Sequence, residues 1–151
     1  MTTTQNTYAY PVQITQRVTI TYDASPAHVG KLEYAVDFIV PENTPILAAL
    51  DGGVVDVKQD SNVGGEDKSY DTQGNYIEIQ HAKNEYSIYE HIRQQGSLVK
   101  IGDKVKTGQI IGYSGKTGWI AHLGPHLHFD VHIYLSNNPE DYQTLKIHWK
   151  E

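Results

Sequence analysis

Imidazole dominates the chemistry available to this chain. It has eight histidines and no cysteine, so a metal would have to be held by His, Asp, Glu or water, and thiol catalysis is excluded. Two of the histidines stand two apart in the stretch GPHLHFDVHIY at 124–134. As a strand, that stretch sends His126, His128, Asp130 and His132 to one face and Leu127, Phe129, Val131 and Ile133 to the other. One face has the composition of a core and the other that of a metal or proton-transfer site. Neither kind of site is normally built by one strand, so partners must come from elsewhere. Asp37 is one candidate, because a carboxylate between Val36 and Phe38 calls for an ion, a hydrogen-bond network or a metal. His91, in Tyr89-Glu90-His91, is a second, and His28, in a loop broken by Pro26 and Gly30, is a third.

Taken together, His28, Asp37, His91, His126 and His128 suit a hydrolytic zinc site. Two imidazoles and a carboxylate leave one tetrahedral position for water, and the metal lowers the pKa of that water and polarises a carbonyl. The remaining imidazoles would transfer protons or stabilise an oxyanion. Spacing alone does not separate the ligands from the proton-handling pair. Other chemistries are excluded more firmly. There is no HExxH segment, and GKTG at 115–118 lacks the spacer and following helix of a phosphate loop. A net charge of -6 without a Lys/Arg cluster argues against a nucleic-acid partner.

The elements that must position these residues read as many short antiparallel strands in one domain of 151 residues. Residues 1–10 are rich in Thr, Gln, Asn and Tyr and predict a loose arm; Val12, Ile14, Val18 and Ile20 suggest strands around a turn at 15–17. A loop over 23–30 leads to a strand over 32–40 on which Glu33, Ala35, Asp37 and Ile39 share a face. Residues 44–58 read as two strands joined by the Asp51-Gly52-Gly53 turn, and 60–73 as a surface loop. Strands over 74–81 and 85–92 follow, the second placing Tyr89 and His91 on one face. Glycine-punctuated hairpins are expected over 98–113, a loop over 114–124, one helical turn within 140–145 and a last strand over 146–149. His132 and Asp130 would stand behind the site, Trp119, Tyr89 and Tyr134 would line a groove, and His81 and His148 would be peripheral. His122 would be exposed or line the groove. The first residues show neither a signal peptide nor a membrane span.

The acid strand with its YAVDF segment, Tyr89-Glu90-His91, the glycine hairpins and GPHLHF, in that order, resemble the lysostaphin-type zinc endopeptidases of peptidoglycan. The resemblance implies a mainly β fold, a compact antiparallel β-sheet domain of the duplicated barrel-sandwich hybrid type. It implies Zn2+ held by His28, Asp37 and His128, with His91 and His126 as the catalytic pair beside it. In the commonest version of the family the first ligand lies four residues before the aspartate, where this chain has Glu33, so Glu33 is the rival to His28. The domain would divide into an arm with leading strands over 1–27, a metallopeptidase-like core over 28–135 and an extension over 136–151. The implied activity is hydrolysis of amide bonds in peptidoglycan peptides by a monomer working in the periplasm or after secretion. Two alternatives stand beside it: a catalytically silent domain that binds cell wall or activates a separate hydrolase, and a phosphoryl carrier using histidines on adjacent strands.

Overall fold

The computed structural model describes residues 2–22, 26 and 28–151. Half of the loop expected over 23–30, residues 23–25 and 27, therefore lies outside the described residues. The chain is mainly β, as its alternating pattern predicts. Its strands are β1 (Thr3–Tyr8), β2 (Thr19–Thr21), β3 (Val36–Ile39), β4 (Pro45–Leu47), β5 (Gly52–Lys58), β6 (Gly64–Gly65) and β7 (Asn75–Gln80). They continue as β8 (Tyr86–Ser97), β9 (Lys104–Val105), β10 (Ile110–Ser114), β11 (Gly118–Trp119), β12 (Leu127–Tyr134), β13 (Tyr142–Thr144) and β14 (Lys146–Trp149). Helical structure among the described residues is confined to short 3-10 turns at Gly30–Leu32, Lys68–Gln73 and Ala82–Asn84.

Strand β12 lies inside a ten-stranded sheet whose main path runs β2-β3-β12-β8-β7-β5-β9. Leu127, Phe129 and Val131 point from it into the core, where they meet Phe38, Tyr89, Ile77, Ile79 and Ile92, all essentially without solvent exposure. Burying each such large apolar side chain stabilises the fold by about 1.5–3 kcal/mol. The opposite face of β12 is also buried, although it carries His128, Asp130 and His132. Polar groups held away from water need partners, and the site is built from those partners.

The compact, mainly antiparallel barrel-sandwich hybrid expected from the sequence is not the fold observed. Two of the three sheets are parallel ladders, β1 with β14 and β11 with β6, and the large sheet is an open path ending at β2 and β9. Alternation of apolar residues marks a strand but carries no information on its neighbour or direction. The same limit explains β4 and β5, expected as one hairpin: β4 pairs with β10, while β5 pairs with β7 and β9.

Local expectations also change. Residues 3–8 are not a loose arm, because Tyr8 is fully buried and the Glu85 carboxylate accepts from Gln5 N–H at 2.6 Å and Tyr8 O–H at 3.0 Å. Of the strands expected near Val12 to Ile20, only β2 forms. The strand expected over 32–40 is shorter, since the 3-10 turn at Gly30–Leu32 precedes β3 and leaves Glu33 exposed at its end. Residues 142–144 form a strand rather than a helical turn, pairing with the second half of β12. The 60–73 and 114–124 loops each hold one short strand of the β6–β11 ladder, and β8 continues through 93–97. Gly118, at φ +85°, permits the close approach of β11 to Gly74, whose backbone a side chain there would strike.

Candidate metal and proton-transfer site

Antiparallel pairing of β12 with β3 sets His128 opposite Asp37, and pairing with β8 sets it opposite Glu90. Residues directly opposite share a face, so the ladders place one imidazole between two carboxylates. His28 arrives from the loop before the Gly30–Leu32 turn. Its Nδ1 lies 2.8 Å from the Tyr22 carbonyl oxygen. A carbonyl only accepts, so Nδ1 carries the proton and Nε2 presents a lone pair. That Nε2 faces Asp37 Oδ2 at 3.2 Å, and His128 Nδ1 faces Asp37 Oδ1 at 3.4 Å.

His28, Asp37 and His128 each offer a ligand atom within 4.8 Å of the others, and all three residues are buried. His28 Nε2 and both Asp37 oxygens are shielded from water and have no hydrogen-bond partner. An unpartnered buried polar atom costs about 1–3 kcal/mol, and more when charged. A divalent cation between these three side chains would satisfy them together, and a set of two nitrogens and one oxygen fits zinc. Burial by itself would raise the Asp37 carboxyl, but the facing imidazoles of His128 and His28 outweigh it and hold the group well below the usual carboxylate range.

His91 reaches the site through a backbone irregularity. Simple alternation along β8 would send it to the core side with Tyr89, but it adopts φ +70° and the β7–β8 register shifts between Asn75 and Tyr76. A bulge with a non-glycine residue in the left-handed region costs about 1–3 kcal/mol and turns the side chain to the opposite face. Tyr89 and His91 therefore do not share a face, contrary to the sequence expectation. Tyr89 lines no groove: it packs on Phe129 with ring centroids 5.1 Å apart, and its oxygen accepts from Ala49 N–H.

The His91 ring instead lies 4.5 Å from that of His126. Each places Nδ1 against a carbonyl oxygen, His91 against Thr117 at 2.7 Å and His126 against Gly124 at 2.8 Å, which leaves Nε2 as the free base. His126 Nε2 is 3.6 Å from Asp37 Oδ1. Burial, with the neighbouring charges of His126 and His128, pushes His91 down to about 3; burial also lowers His126. Both imidazoles are thus neutral at pH 7 and able to accept a proton.

On the far side of His128, Nε2 lies 3.2 Å from both Asp130 Oδ2 and Glu90 Oε2. Asp130 Oδ1 is 2.7 Å from His132 Nδ1, His132 Nε2 is 2.7 Å from Glu78 Oε2, and the Tyr134 hydroxyl donates to the same Glu78 oxygen. Burial opposes charge on both histidines. The carboxylates Glu90, Asp130 and Asp37 nevertheless push His128 well above its ordinary value, and Asp130 with Glu78 raises His132 to about 9.

Glu90 and Glu78 were not legible as site residues, because only the strand register places them beside His128 and His132. Glu33 stands outside the cluster, exposed to solvent, and His122 and His148 are exposed as well. His81 is not peripheral: it is buried, with its ring nitrogens 2.7 Å from the Asp51 carbonyl and from Ser87 Oγ. Trp119 is half-buried, its indole N–H donating to the Glu66 carbonyl.

The sequence model described as peptidase family M23 matches residues 31–141, a span that opens three residues after His28. The peptidoglycan DD-endopeptidase ShyA of Vibrio cholerae is 34% identical over 126 residues, which cover 81% of this chain and 26% of that protein. Lysostaphin of Staphylococcus simulans is 39% identical over 115 residues, covering 74% of this chain and 21% of lysostaphin. The crystal structure of a zinc-containing peptidase from Vibrio cholerae superposes with a TM-score of 0.59 at 30% identity, covering 83% of this chain and 36% of that one. The chain thus spans about a quarter of the length of the curated relatives it matches.

Proposed function

Because the chain belongs to peptidase family M23, we propose that it is a zinc-dependent endopeptidase domain that hydrolyses amide bonds in peptidoglycan peptides. The observation that carries the reading is the convergence of His28 Nε2, Asp37 and His128 Nδ1, with His28 Nε2 and both Asp37 oxygens buried and without hydrogen-bond partners, beside two neutral imidazoles. In this reading His28, Asp37 and His128 hold the metal. Bound there, Zn2+ would polarise the scissile carbonyl and acidify a water in its fourth position. His126 and His91 would act through their unprotonated Nε2 atoms: one would take a proton from the attacking water and pass it to the leaving amine, and the other, taking up a solvent proton as negative charge develops, would donate to the oxyanion. The peptidoglycan DD-endopeptidase ShyA, the antimicrobial peptidase lysostaphin and the zinc of the Vibrio cholerae peptidase support this choice of metal and substrate.

The proposal extends to organisation: residues 28–135 form the working core, with 1–27 as an arm and entry strands and 136–151 as an extension packed on the same domain, and the domain acts as a monomer outside the cytoplasm, where its substrate is. No described helix is long and apolar enough to cross a membrane. Purified protein should contain one zinc per chain and release peptides from peptidoglycan; His128→Ala should abolish release and His126→Ala should lower it by about 10²–10⁴-fold. Zinc-supplemented protein that binds no metal and leaves peptidoglycan intact would refute the proposal.

A further inference from the structure

Of the two histidines proposed as metal ligands, His128 is the one with both ring nitrogens faced by charged groups. Nδ1 faces Asp37, and Nε2 faces Asp130 and Glu90. To bind a metal through Nδ1, the ring must keep its proton on Nε2 and must not flip. Something beyond the ligand set has to impose both conditions.

We propose that Asp130 is the positioning residue for His128: it holds the ring proton on Nε2 and directs the Nδ1 lone pair at the Asp37 side, and is itself fixed by a chain through His132 to Glu78 and Tyr134. The proposal rests on the reading that His128 ligates metal through Nδ1. Two carboxylates are within 3.2 Å of Nε2, but they are not equivalent. Asp130 meets hydrogen-bond geometry with Nε2 and is almost fully buried, whereas the Glu90 side chain is 32% exposed and makes only the ion-pair contact. Asp130 also has no rotational freedom to spare, since its second oxygen receives His132 Nδ1–H at 2.7 Å. His132 in turn is held at its other end by Glu78, the acceptor of the Tyr134 hydroxyl.

His128, Asp130, His132 and Tyr134 alternate along one face of β12, so strand geometry itself sets the spacing of the chain. Glu78, from β7, closes its far end two strands away. None of the hydrogen bonds in this chain involves His28, His91 or His126.

Zinc affinity measured by competition with a chelating dye, together with two-bond 15N–1H spectra of the zinc-loaded protein, tests the assignment. Zinc-loaded wild type should show the His128 proton on Nε2 and none on Nδ1, the nitrogen that faces the metal. Asp130→Ala should weaken zinc binding by about 10–100-fold, the usual effect of losing an outer-shell partner. Asp130→Asn should recover most of that loss: its oxygen can accept from His128, its amide can donate to His132 Nδ1, and His132 can still donate to Glu78.

Asp130→Ala binding zinc as tightly as wild type, with the His128 proton still on Nε2, would overturn the positioning role and leave the ligand assignment standing. Wild type that binds no zinc, or His128→Ala that binds it undiminished, would instead overturn the ligand assignment beneath it. Should Asp130→Ala fail to fold, Asp130→Ser takes its place, because its short hydroxyl cannot hold both His128 and His132: zinc affinity equal to wild type in that variant would overturn the positioning role.

Discussion

His128 Nδ1 and Asp37 Oδ1 face each other across 3.4 Å because β12 and β3 pair in a register that makes the two residues direct neighbours. Shifting that register by one residue would turn either His128 or Asp37 to the core side and dissolve the cluster. The site therefore depends on the core face of the same strands, where Phe129 and Phe38 pack with ring centroids 6.5 Å apart.

His91→Ala and His126→Ala should each lower kcat/KM for a peptidoglycan peptide by about 10²–10⁴-fold, the contribution of one positioned acid–base group. Zinc content should stay at one per chain in both. Their neutral forms persist to unusually low pH, because burial lowers both pKa values. The acid limb of the pH–rate profile should consequently lie below the ordinary histidine value of about 6.5. A limb at or above that value would show that another group controls the rate.

Zinc binding should release a proton at pH 7. Asp37, Asp130 and Glu90 together keep His128 protonated well above its ordinary pKa in the metal-free protein, and a cation on Nδ1 must displace the proton there. Apparent zinc affinity should accordingly fall as pH falls. Calorimetric titration in buffers of different ionisation enthalpy measures the protons released per zinc; a value of zero across pH 6–8 contradicts this charge state.

Stability of the chelator-treated protein should decline between about pH 6.5 and pH 9. His132 has a folded-state pKa raised to about 9, so the folded chain retains a proton that the unfolded chain has lost. A raised histidine contributes fully below the unfolded pKa, and its contribution disappears as pH rises through the folded value. His128 acts in the same direction. Urea unfolding across this range should give a shallower decline for His132→Gln than for wild type, whereas an equal slope would exclude His132 as a source.

Glu85→Ala should destabilise the fold by about 3 kcal/mol, because hydrogen bonds to a buried charge are lost and their donors are stranded. The donors are Gln5 and Asn6 N–H, the Asn6 side-chain amide and the Tyr8 hydroxyl, all from the first strand or its interior. Hydrogen exchange should show β1 losing protection before the centre of the large sheet. Unchanged protection in β1 would mean that its parallel pairing with β14 suffices to hold it.

The sequence by itself determined that the chain is mainly β, that His126 and His128 come as a pair, and that an acid inside an apolar strand needs a partner. Those conclusions follow from local rules: side chains alternate along a strand, and a buried charge is costly. Family-specific motifs carried the rest of what was legible, including His28 as a candidate in place of the residue four before Asp37. Strand partners were not legible. The parallel ladder joining the two ends of the chain, β4 pairing with β10, and Glu90 and Glu78 arriving beside His128 and His132 all depend on registers between segments distant in sequence.

His91 shows the division most clearly. Period-two reading assigns it to the face of Tyr89, and one left-handed residue in β8 sends the two to opposite sides. A bulge is selected by what surrounds it in three dimensions, here the Thr117 carbonyl that receives His91 Nδ1–H and the ring of His126 beside it. Residue types therefore specified which groups were available for chemistry. Tertiary structure decided which of them meet, because the free energy that holds a strained backbone or an unpartnered carboxylate in place comes from contacts spread over the whole sheet.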